Sequence, residues 1–263
     1  MVWGTAVLML AGGVSACAPR GNEAAAAPVT TSAAPAPVST LVVTTGSPTP
    51  SPTRVPARTP EVVRAEPVVR IMPLGDSITY GLNHPDHGSY RAALGARLTA
   101  AGVSYDFVGS MSSGPAGTDR DNEGHIGWRI DQIAAHAGAW MAAYRPRLVL
   151  LHIGTNDMRD ADVAAGAGDR LAALLDRLLA ADPDVHVVVA QIAGAKDDDR
   201  DRVFQRRIDA YNALIPGIVA ARGPRAHLAD MRRVDGADLA DTFHPADAGY
   251  RRMAKIWFRE LMR

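Results

Sequence analysis

The sequence predicts an α/β fold, a three-layer α/β/α sandwich around a five-stranded parallel sheet. Three observations support this class. From residue 68 onward, apolar runs of strand length alternate with longer segments of helical length. Helices, not hairpin turns, separate consecutive strand-like runs, which indicates parallel pairing. The central runs are almost continuously apolar, as in strands covered on both faces. We expect the flavodoxin-like strand order 2-1-3-4-5, in which sites form at the carboxyl ends of the strands.

The strands are recognised by their runs of β-branched and apolar residues. VVRIMPL is the first and YDFVGS the second, followed by RLVLLHIG, VHVVVAQI and AHLADM. These runs occupy residues 68–74, 105–110, 147–154, 185–192 and 226–231. A glycine-rich loop is expected after the second strand, up to Gly127.

The helical segments lie between these strands. The first, residues 90–102, is ended by a glycine. Further helices are predicted at residues 129–144, 162–181 and about 199–222. The last helix is expected to begin after His244, with Pro245 at its first position, and to continue to the end of the sequence.

Residues 1–17 are predicted to be an export signal. Residues 2–16 are uncharged and apolar, and they are too short and too glycine-interrupted for a spanning helix. The letters VSAC, ending at Cys17, resemble the lipobox of bacterial lipoproteins, in which the cysteine is lipidated. The alternative is ordinary cleavage after Ala16, which leaves a free thiol. We therefore expect an exported bacterial protein, either a cell-surface lipoprotein or a secreted one.

Residues 18–66 are rich in Ala, Pro, Thr and Ser, and ten of the 18 prolines lie between Pro19 and Pro67. Such a tract buries too little apolar surface to fold, so we predict a disordered linker. Residues 67–263 then form one folded domain. The sequence thus predicts a lipid anchor at Cys17, a disordered linker over residues 18–66 and a folded domain over residues 67–263.

Composition narrows the range of partners. The chain has 28 basic and 28 acidic residues, which argues against a nucleic-acid groove or a polybasic membrane patch. Its only cysteine precedes the folded domain, which excludes disulfides and cysteine-based metal sites there. We expect a monomer that contacts a membrane only through an N-terminal lipid.

Ser77 is the first candidate for chemistry. The run LGDSITYG places it immediately after the first buried strand, on a turn flanked by Gly75 and Gly81. A turn is the ordinary interpretation of Gly-Asp-Ser. The alternative is a nucleophile presented at the edge of the sheet, which needs a base and an orienting carboxylate.

The sequence DTFHP supplies both partners. Because His244 precedes a proline, it is expected to be extended at the rim of the loop. Asp241, three residues earlier, can reach the imidazole Nδ1–H and fix its tautomer. Alone, this spacing is equally typical of a polar loop before a helix.

Two further loops offer hydrogen-bond donors for a developing oxyanion. Asn156 in GTND follows the third strand, next to the loop of Ser77 in a 2-1-3 order. The loop GHIGW follows the second strand, and either Gly124 or Gly127 can bring a backbone N–H close. Together with the Ser77 N–H, this predicts a three-donor oxyanion hole.

The four segments GDSIT, GHIGW, GTND and DTFHP resemble, in this order, the SGNH (GDSL-type) hydrolase superfamily over residues 70–263. The resemblance implies Ser77 as nucleophile, Asp241 and His244 as its partners, and Gly127 and Asn156 as oxyanion donors. It also implies that no metal or organic cofactor is needed.

Within the superfamily, the stretch from Phe107 to Asp131 is most like carbohydrate esterase family 3, the acetyl xylan esterase group. Ile126 replaces the usual serine of that block. The resemblance implies a serine esterase that removes short acyl groups from carbohydrate. A lipase, lysophospholipase or thioesterase with longer acyl substrates is the first alternative, and a non-catalytic glycan-binding surface protein is the second.

Several other polar and aromatic residues are candidates for binding or packing roles. Trp128, Tyr80 and Asn83 lie on the candidate loops and are expected to contact substrate, with core packing as the alternative for the two rings. His84, Asp86 and His87 form a loose group that we interpret as a polar loop, not as a metal site. His152 and His186 fall within strands and are expected to be hydrogen-bonded core histidines.

Overall fold

The computed structural model describes residues 67–84, 88–196 and 201–263. The predicted export signal with Cys17, the predicted linker, and Asp86 and His87 lie outside these residues. None of the helices in the described part is both long and apolar enough to cross a membrane.

The described residues form seven strands and seven α-helices. The strands are β1 (Val69–Gly75), β2 (Tyr105–Phe107), β3 (Met111–Ser112), β4 (Asp121–Gly124), β5 (Leu148–His152), β6 (His186–Gln191) and β7 (Ala226–Asp230). The helices are α1 (Ser77–Tyr80), α2 (Ser89–Ala100), α3 (Ile130–Tyr144), α4 (Ala161–Ala165), α5 (Ala167–Ala181), α6 (Asp201–Ala220) and α7 (Asp247–Leu261).

Strand β1 lies at the centre of the sheet. On one side it pairs in parallel with β5, and β6 and β7 follow in order. On the other side, β2 pairs with the start of β1 and β4 with its last two residues, both in parallel. The predicted α/β class and the parallel order 2-1-3-4-5 are thus confirmed as β2-β1-β5-β6-β7.

The sheet differs from the prediction by two short strands. β3 and β4 lie within the segment expected to be a glycine-rich loop, and they pair antiparallel, so that the sheet is mixed. The β4 sequence DNEG has no apolar alternation that would mark it as a strand. Its buried Glu123 is accommodated by hydrogen bonds from the Ser110 N–H and hydroxyl.

Three further boundaries differ from expectation. The predicted helix 162–181 is divided at Gly166 into α4 and α5. Helix α7 begins at Asp247, not at Pro245, because Pro245 pairs with Leu239 in an isolated bridge. The single turn α1 was not predicted; it begins at Ser77.

The core consists of two apolar layers, one on each face of the sheet. Successive strand residues alternate between them, as the two-residue repeat of a strand requires. Met72 and Leu74 face the layer formed with α3, α5 and α6, whereas Ile71 faces the layer formed with α2 and α7. Burial on both faces explains why the strands are apolar throughout.

The carboxyl ends of β1 and β5 approach each other closely. Gly75 is in register with His152, and a Cβ atom on Gly75 would lie 2.2 Å from the His152 carbonyl oxygen. Only glycine fits there, because that distance is far below any van der Waals contact. This approach brings the loop after β1 beside the loop after β5.

Candidate active site

Ser77 is held by the turn that follows β1. Asp76 caps α1, and its Oδ1 accepts a 3.0 Å hydrogen bond from the Ile78 N–H. At the other end of the turn, the Gly81 and Leu82 N–H groups both donate to the Ser77 carbonyl oxygen at 2.9 Å. The serine is therefore the first residue of a short helix, at the carboxyl edge of the sheet.

A chain of hydrogen bonds joins Ser77 to the loop before α7. The Ser77 Oγ lies 2.9 Å from the His244 Nε2, and the His244 Nδ1 lies 2.7 Å from the Asp241 Oδ2. An ionised carboxylate only accepts, so Nδ1 carries the proton of the neutral ring. Nε2 is then free to accept from the serine hydroxyl. This arrangement can withdraw the hydroxyl proton as the oxygen attacks an electrophile.

The Asp241 carboxylate is held from several directions. Its Oδ1 accepts from the Phe243 and His244 N–H groups at 3.0 and 2.8 Å. Partial burial raises the pKa of Asp241, but these hydrogen bonds and that from the His244 ring outweigh burial. The net pKa lies below the ordinary value, so the carboxylate stays ionised.

Asn83 contacts the same carboxylate. Its Nδ2 donates to the Asp241 Oδ2 at 3.0 Å, the oxygen that also accepts from His244. Asn83 has a left-handed backbone, φ 69°, which asparagine tolerates better than most residues. The sequence predicted a substrate contact here, and the structure places this amide on the carboxylate that orients His244.

Asn156 lies on the loop after β5, as predicted. It is 8% exposed, and its Nδ2 donates to the Trp128 carbonyl oxygen at 3.0 Å. A side-chain amide has two N–H bonds, so this contact uses only one of them. The hydrogen bond also joins the loop after β5 to the turn that carries Gly127.

The two candidate glycines differ in their surroundings. The Gly124 N–H already donates to the Asn122 Oδ1 at 2.9 Å. Gly127 is the third residue of a turn closed by the Trp128 N–H on the His125 carbonyl oxygen, and its φ is 79°. A Cβ at Gly127 would meet nothing within 4 Å, so glycine is required by φ and not by crowding from the protein. The Gly124 N–H is therefore already engaged, and the role of Gly127 as an oxyanion donor stays a prediction.

The two aromatic residues that were predicted to contact substrate have structural contacts. The Trp128 ring is half-buried and stacks on His125 with centroids 4.2 Å apart, within a group that includes His136 and Trp140. Tyr80 ends α1, and its backbone packs against Gly124. That these two residues contact substrate stays a prediction.

A buried arginine supports the back of the Ser77 turn. The Arg91 guanidinium donates to the Thr79, Tyr80 and Arg120 carbonyl oxygens and to Ser113, at 2.6 to 3.2 Å. Burial lowers the pKa of Arg91 to about 10, which leaves it charged at neutral pH. Sequence reasoning missed this residue, because nothing in the pattern of α2 distinguishes an inward arginine from a solvated one.

The histidines outside the site have other partners. His152 is fully buried, its Nε2 accepts from the Ala193 N–H at 3.3 Å, and burial lowers its pKa to about 4. Its Nδ1 has no hydrogen-bond partner in the described part of the chain. His152 is thus a core histidine, as predicted, but only one of its ring nitrogens is hydrogen-bonded. The core prediction is wrong for His186, which is half-buried at the start of β6; its Nδ1 lies 3.0 Å from the His227 Nε2. Within residues 67–84, 88–196 and 201–263, no three potential ligands are grouped around a metal position.

Several known proteins resemble this chain. The profile of the GDSL-like lipase/acylhydrolase family matches residues 74–252. The chain is 30% identical over 229 residues to a multidomain esterase of Ruminococcus flavefaciens, in an alignment covering 77% of this chain and 29% of that protein. The chain thus spans less than a third of that relative.

Two solved structures resemble most of the domain. A family 3 carbohydrate esterase of Clostridium thermocellum aligns with TM-score 0.64 and 35% identity, over 74% of this chain and 96% of that one. A family 3 carbohydrate esterase from Talaromyces cellulolyticus aligns with TM-score 0.65 and 30% identity, over 74% and 97% of the two chains.

Fold and matches together define an SGNH-type hydrolase, a class that acts on carboxylic esters. The chain belongs to the GDSL-like lipase/acylhydrolase family. The resemblance to carbohydrate esterase family 3 that the sequence suggested is confirmed by the solved structures.

Asp76 provides a test of the electrostatics beside Ser77. Burial raises the pKa of Asp76 from 3.8 to about 7. The hydrogen bond from the Ile78 N–H lowers this pKa, and the nearby charge of Asp157 raises it further. Between these pH values the unfolded chain ionises first, so the free energy of unfolding falls as the pH rises. Asp76→Asn cannot ionise and keeps an acceptor for Ile78. Between pH 4 and pH 7, the free energy of unfolding should fall less in this variant than in the wild type. The difference between the two falls should be on the order of 3 kcal/mol.

Urea unfolding of the wild type and Asp76→Asn across that pH window measures the difference. Asp169→Asn, at an exposed site in α5, is the control for loss of a carboxyl group. If the free energy of unfolding changed with pH in the same way in the wild type and Asp76→Asn, the raised pKa of Asp76 would be contradicted.

Proposed function

We propose that this protein is a serine esterase that removes short acyl groups, above all acetyl, from carbohydrate. The observation that carries the proposal is the hydrogen-bond chain from Ser77 through His244 to Asp241, at 2.9 and 2.7 Å. The similarity to family 3 carbohydrate esterases supports the substrate class.

In the proposed reaction, the Ser77 Oγ attacks the ester carbonyl carbon while its proton passes to the His244 Nε2. The resulting imidazolium is stabilised by Asp241. Collapse of the tetrahedral intermediate breaks the bond to the sugar oxygen, which leaves with the proton from His244. A water molecule, deprotonated by His244, then attacks the acyl carbon. The bond to the Ser77 Oγ breaks, the serine regains its proton from His244, and the carboxylic acid is released. The reaction needs only these side chains and water.

Three donors are proposed to stabilise the negative oxygen of the intermediate: the Ser77 N–H, the Gly127 N–H and the Asn156 side chain. One such donor contributes about 3 kcal/mol to the transition state. The Trp128 carbonyl contact holds the Asn156 amide in place before substrate binds. Preorganisation of this kind avoids reorganisation during the reaction.

Carbohydrate is favoured over lipid by the surroundings of Gly127. The half-buried Trp128 ring adjoins that turn, and we propose that it packs against a sugar face, beside Tyr80. A lipase or thioesterase remains the second candidate, because the matching family includes lipases. On p-nitrophenyl esters, activity that rises from C2 to C8–C12 chains would favour lipid. A non-catalytic glycan-binding protein is disfavoured, since binding alone does not require the Ser77–His244 contact.

We also propose that the protein is exported as a monomer and tethered through a lipid on Cys17, with secretion after cleavage as the alternative. The lipobox-like VSAC and the proline-rich tract support this arrangement. The intact mass of the protein from its native membrane fraction should show a lipidated Cys17. An unmodified thiol would contradict the anchor and leave the esterase proposal untouched.

Replacing the nucleophile tests the proposed reaction. Ser77→Ala should lower kcat on p-nitrophenyl acetate at least about 10³-fold, because no other group can form the acyl-enzyme. Ser112→Ala, at an exposed serine in β3, is the control and should match the wild type. Equal turnover by Ser77→Ala and wild type would end the proposal.

Asn83 is proposed to position Asp241. Asn83→Gly keeps the left-handed backbone and removes the donor to Oδ2, so kcat should fall about threefold to tenfold with KM nearly constant. Arg145→Gly is the matched control, because Arg145 also has a positive φ but caps the distant end of α3. Steady-state kinetics at several pH values measures both variants. A rise in KM without loss of kcat would instead assign Asn83 to substrate binding.

A further inference from the structure

A second concave site lies along α7. It is a groove of about 850 Å³ between α2, the segment after β7, and the outer face of α7. Six cationic side chains line it: Arg97, Arg233, Arg252, Lys255, Arg259 and Arg263. Ser77, Asp241 and His244 are not among its lining residues, so this α7 groove is separate from the candidate active site.

The α7 groove carries a local excess of positive charge. Its one acidic lining residue, Asp230, is neutralised by Arg232, whose bidentate contact at 2.9 and 2.8 Å lowers the pKa of Asp230. Asp238 pairs with Arg252 at 2.7 Å. The whole chain has 28 residues of each sign, so the excess reflects the placement of charges and not overall composition.

Two of the groove arginines share one carboxylate. Arg259 and Arg263 lie 2.9 and 2.7 Å from the two oxygens of Glu260. Counted by side chains, the groove and its ion-pair partners thus contain seven cationic groups against three carboxylates. Such a surface attracts an anion that supplies the missing negative charge.

Three of the cations have no ion pair in the part of the chain that the structure describes. They are Arg97 on α2, Arg233 after β7 and Lys255 on α7, and all three are exposed. Because they come from three different elements, their convergence on one groove is not a consequence of the repeat of a single helix. An anion in the groove would bind them without displacing an existing partner.

The shape of the groove indicates the class of anion. Arg252, Lys255 and Arg259 recur at the spacing of one helical face, over about 10 Å of helix axis, and Arg263 follows two residues after the end of α7. A single phosphate cannot bridge that length. Apolar surface from Ile256, Phe258 and the 52% exposed Met262 lies between the charges. Sugar rings present apolar faces with charged groups at their edges, which fits alternating apolar and cationic contacts.

We propose that the α7 groove binds an acidic polysaccharide, a sugar chain that carries carboxylate groups. A concave site suits an extended chain better than the flat surface of a bilayer. The groove would hold such a polymer away from the catalytic residues, so binding and ester hydrolysis are separable. The proposal does not depend on the esterase reaction.

The test uses the full chain and two variants with the same loss of charge. The groove variant combines Arg97→Gln, Arg233→Gln and Lys255→Gln. The control variant combines Arg177→Gln, Arg206→Gln and Arg251→Gln, which are exposed and lie outside the groove. Isothermal titration with polygalacturonate at about 0.01 M and about 0.15 M salt gives the affinities, and dextran is the neutral polymer. Hydrolysis of p-nitrophenyl acetate is measured in parallel.

We expect the groove variant to bind polygalacturonate about tenfold more weakly than wild type, and the control variant to bind like wild type. Hydrolysis should be the same in all three proteins. Equal loss of affinity in both variants would overturn the proposal, because net charge alone would then explain it. Unchanged affinity in the groove variant would also overturn it, as would tighter binding of the wild type to anionic phospholipid vesicles than to polygalacturonate in the same titration.

Discussion

The hydrogen bond between the Ser77 hydroxyl and the His244 imidazole is the contact on which the candidate site depends. It joins residues 167 positions apart, so neither local sequence nor one loop can produce it. The parallel sheet produces it, because β1 is central and every strand of the parallel core ends at the same edge. Asp241 needs no such help, because three residues of local turn place it against the His244 ring.

Close packing fixes the geometry of the Ser77 loop. Gly75 allows β1 to approach the His152 carbonyl, and Asp76 caps the turn from a fully buried position. Beneath the turn, the buried Arg91 charge is satisfied by carbonyl oxygens and a hydroxyl in place of a carboxylate. A buried guanidinium without such acceptors would be strongly destabilising, so this network also selects one loop conformation.

Much of this architecture could be predicted from the sequence, for physical reasons. Strands covered on both faces must be apolar, so the strands of the parallel core could be recognised from their sequences. The four motifs could be placed as well, because they follow the carboxyl ends of these strands or precede α7. The polar strands β3 and β4 could not be recognised, because Glu123 is buried by specific hydrogen bonds and not by apolar character. The contacts of Arg91 and Asn83 depend on tertiary placement, so their residue types alone gave no signal.

In the proposed reaction, His244 makes Ser77 nucleophilic by accepting its proton. Labelling with a fluorophosphonate, followed by peptide mass analysis, measures this most directly. We predict stoichiometric modification of Ser77 in the wild type, and labelling about 10³-fold slower in a folded His244→Ala variant. Modification of a different serine, or labelling of Ser77 at the same rate in both proteins, would contradict it.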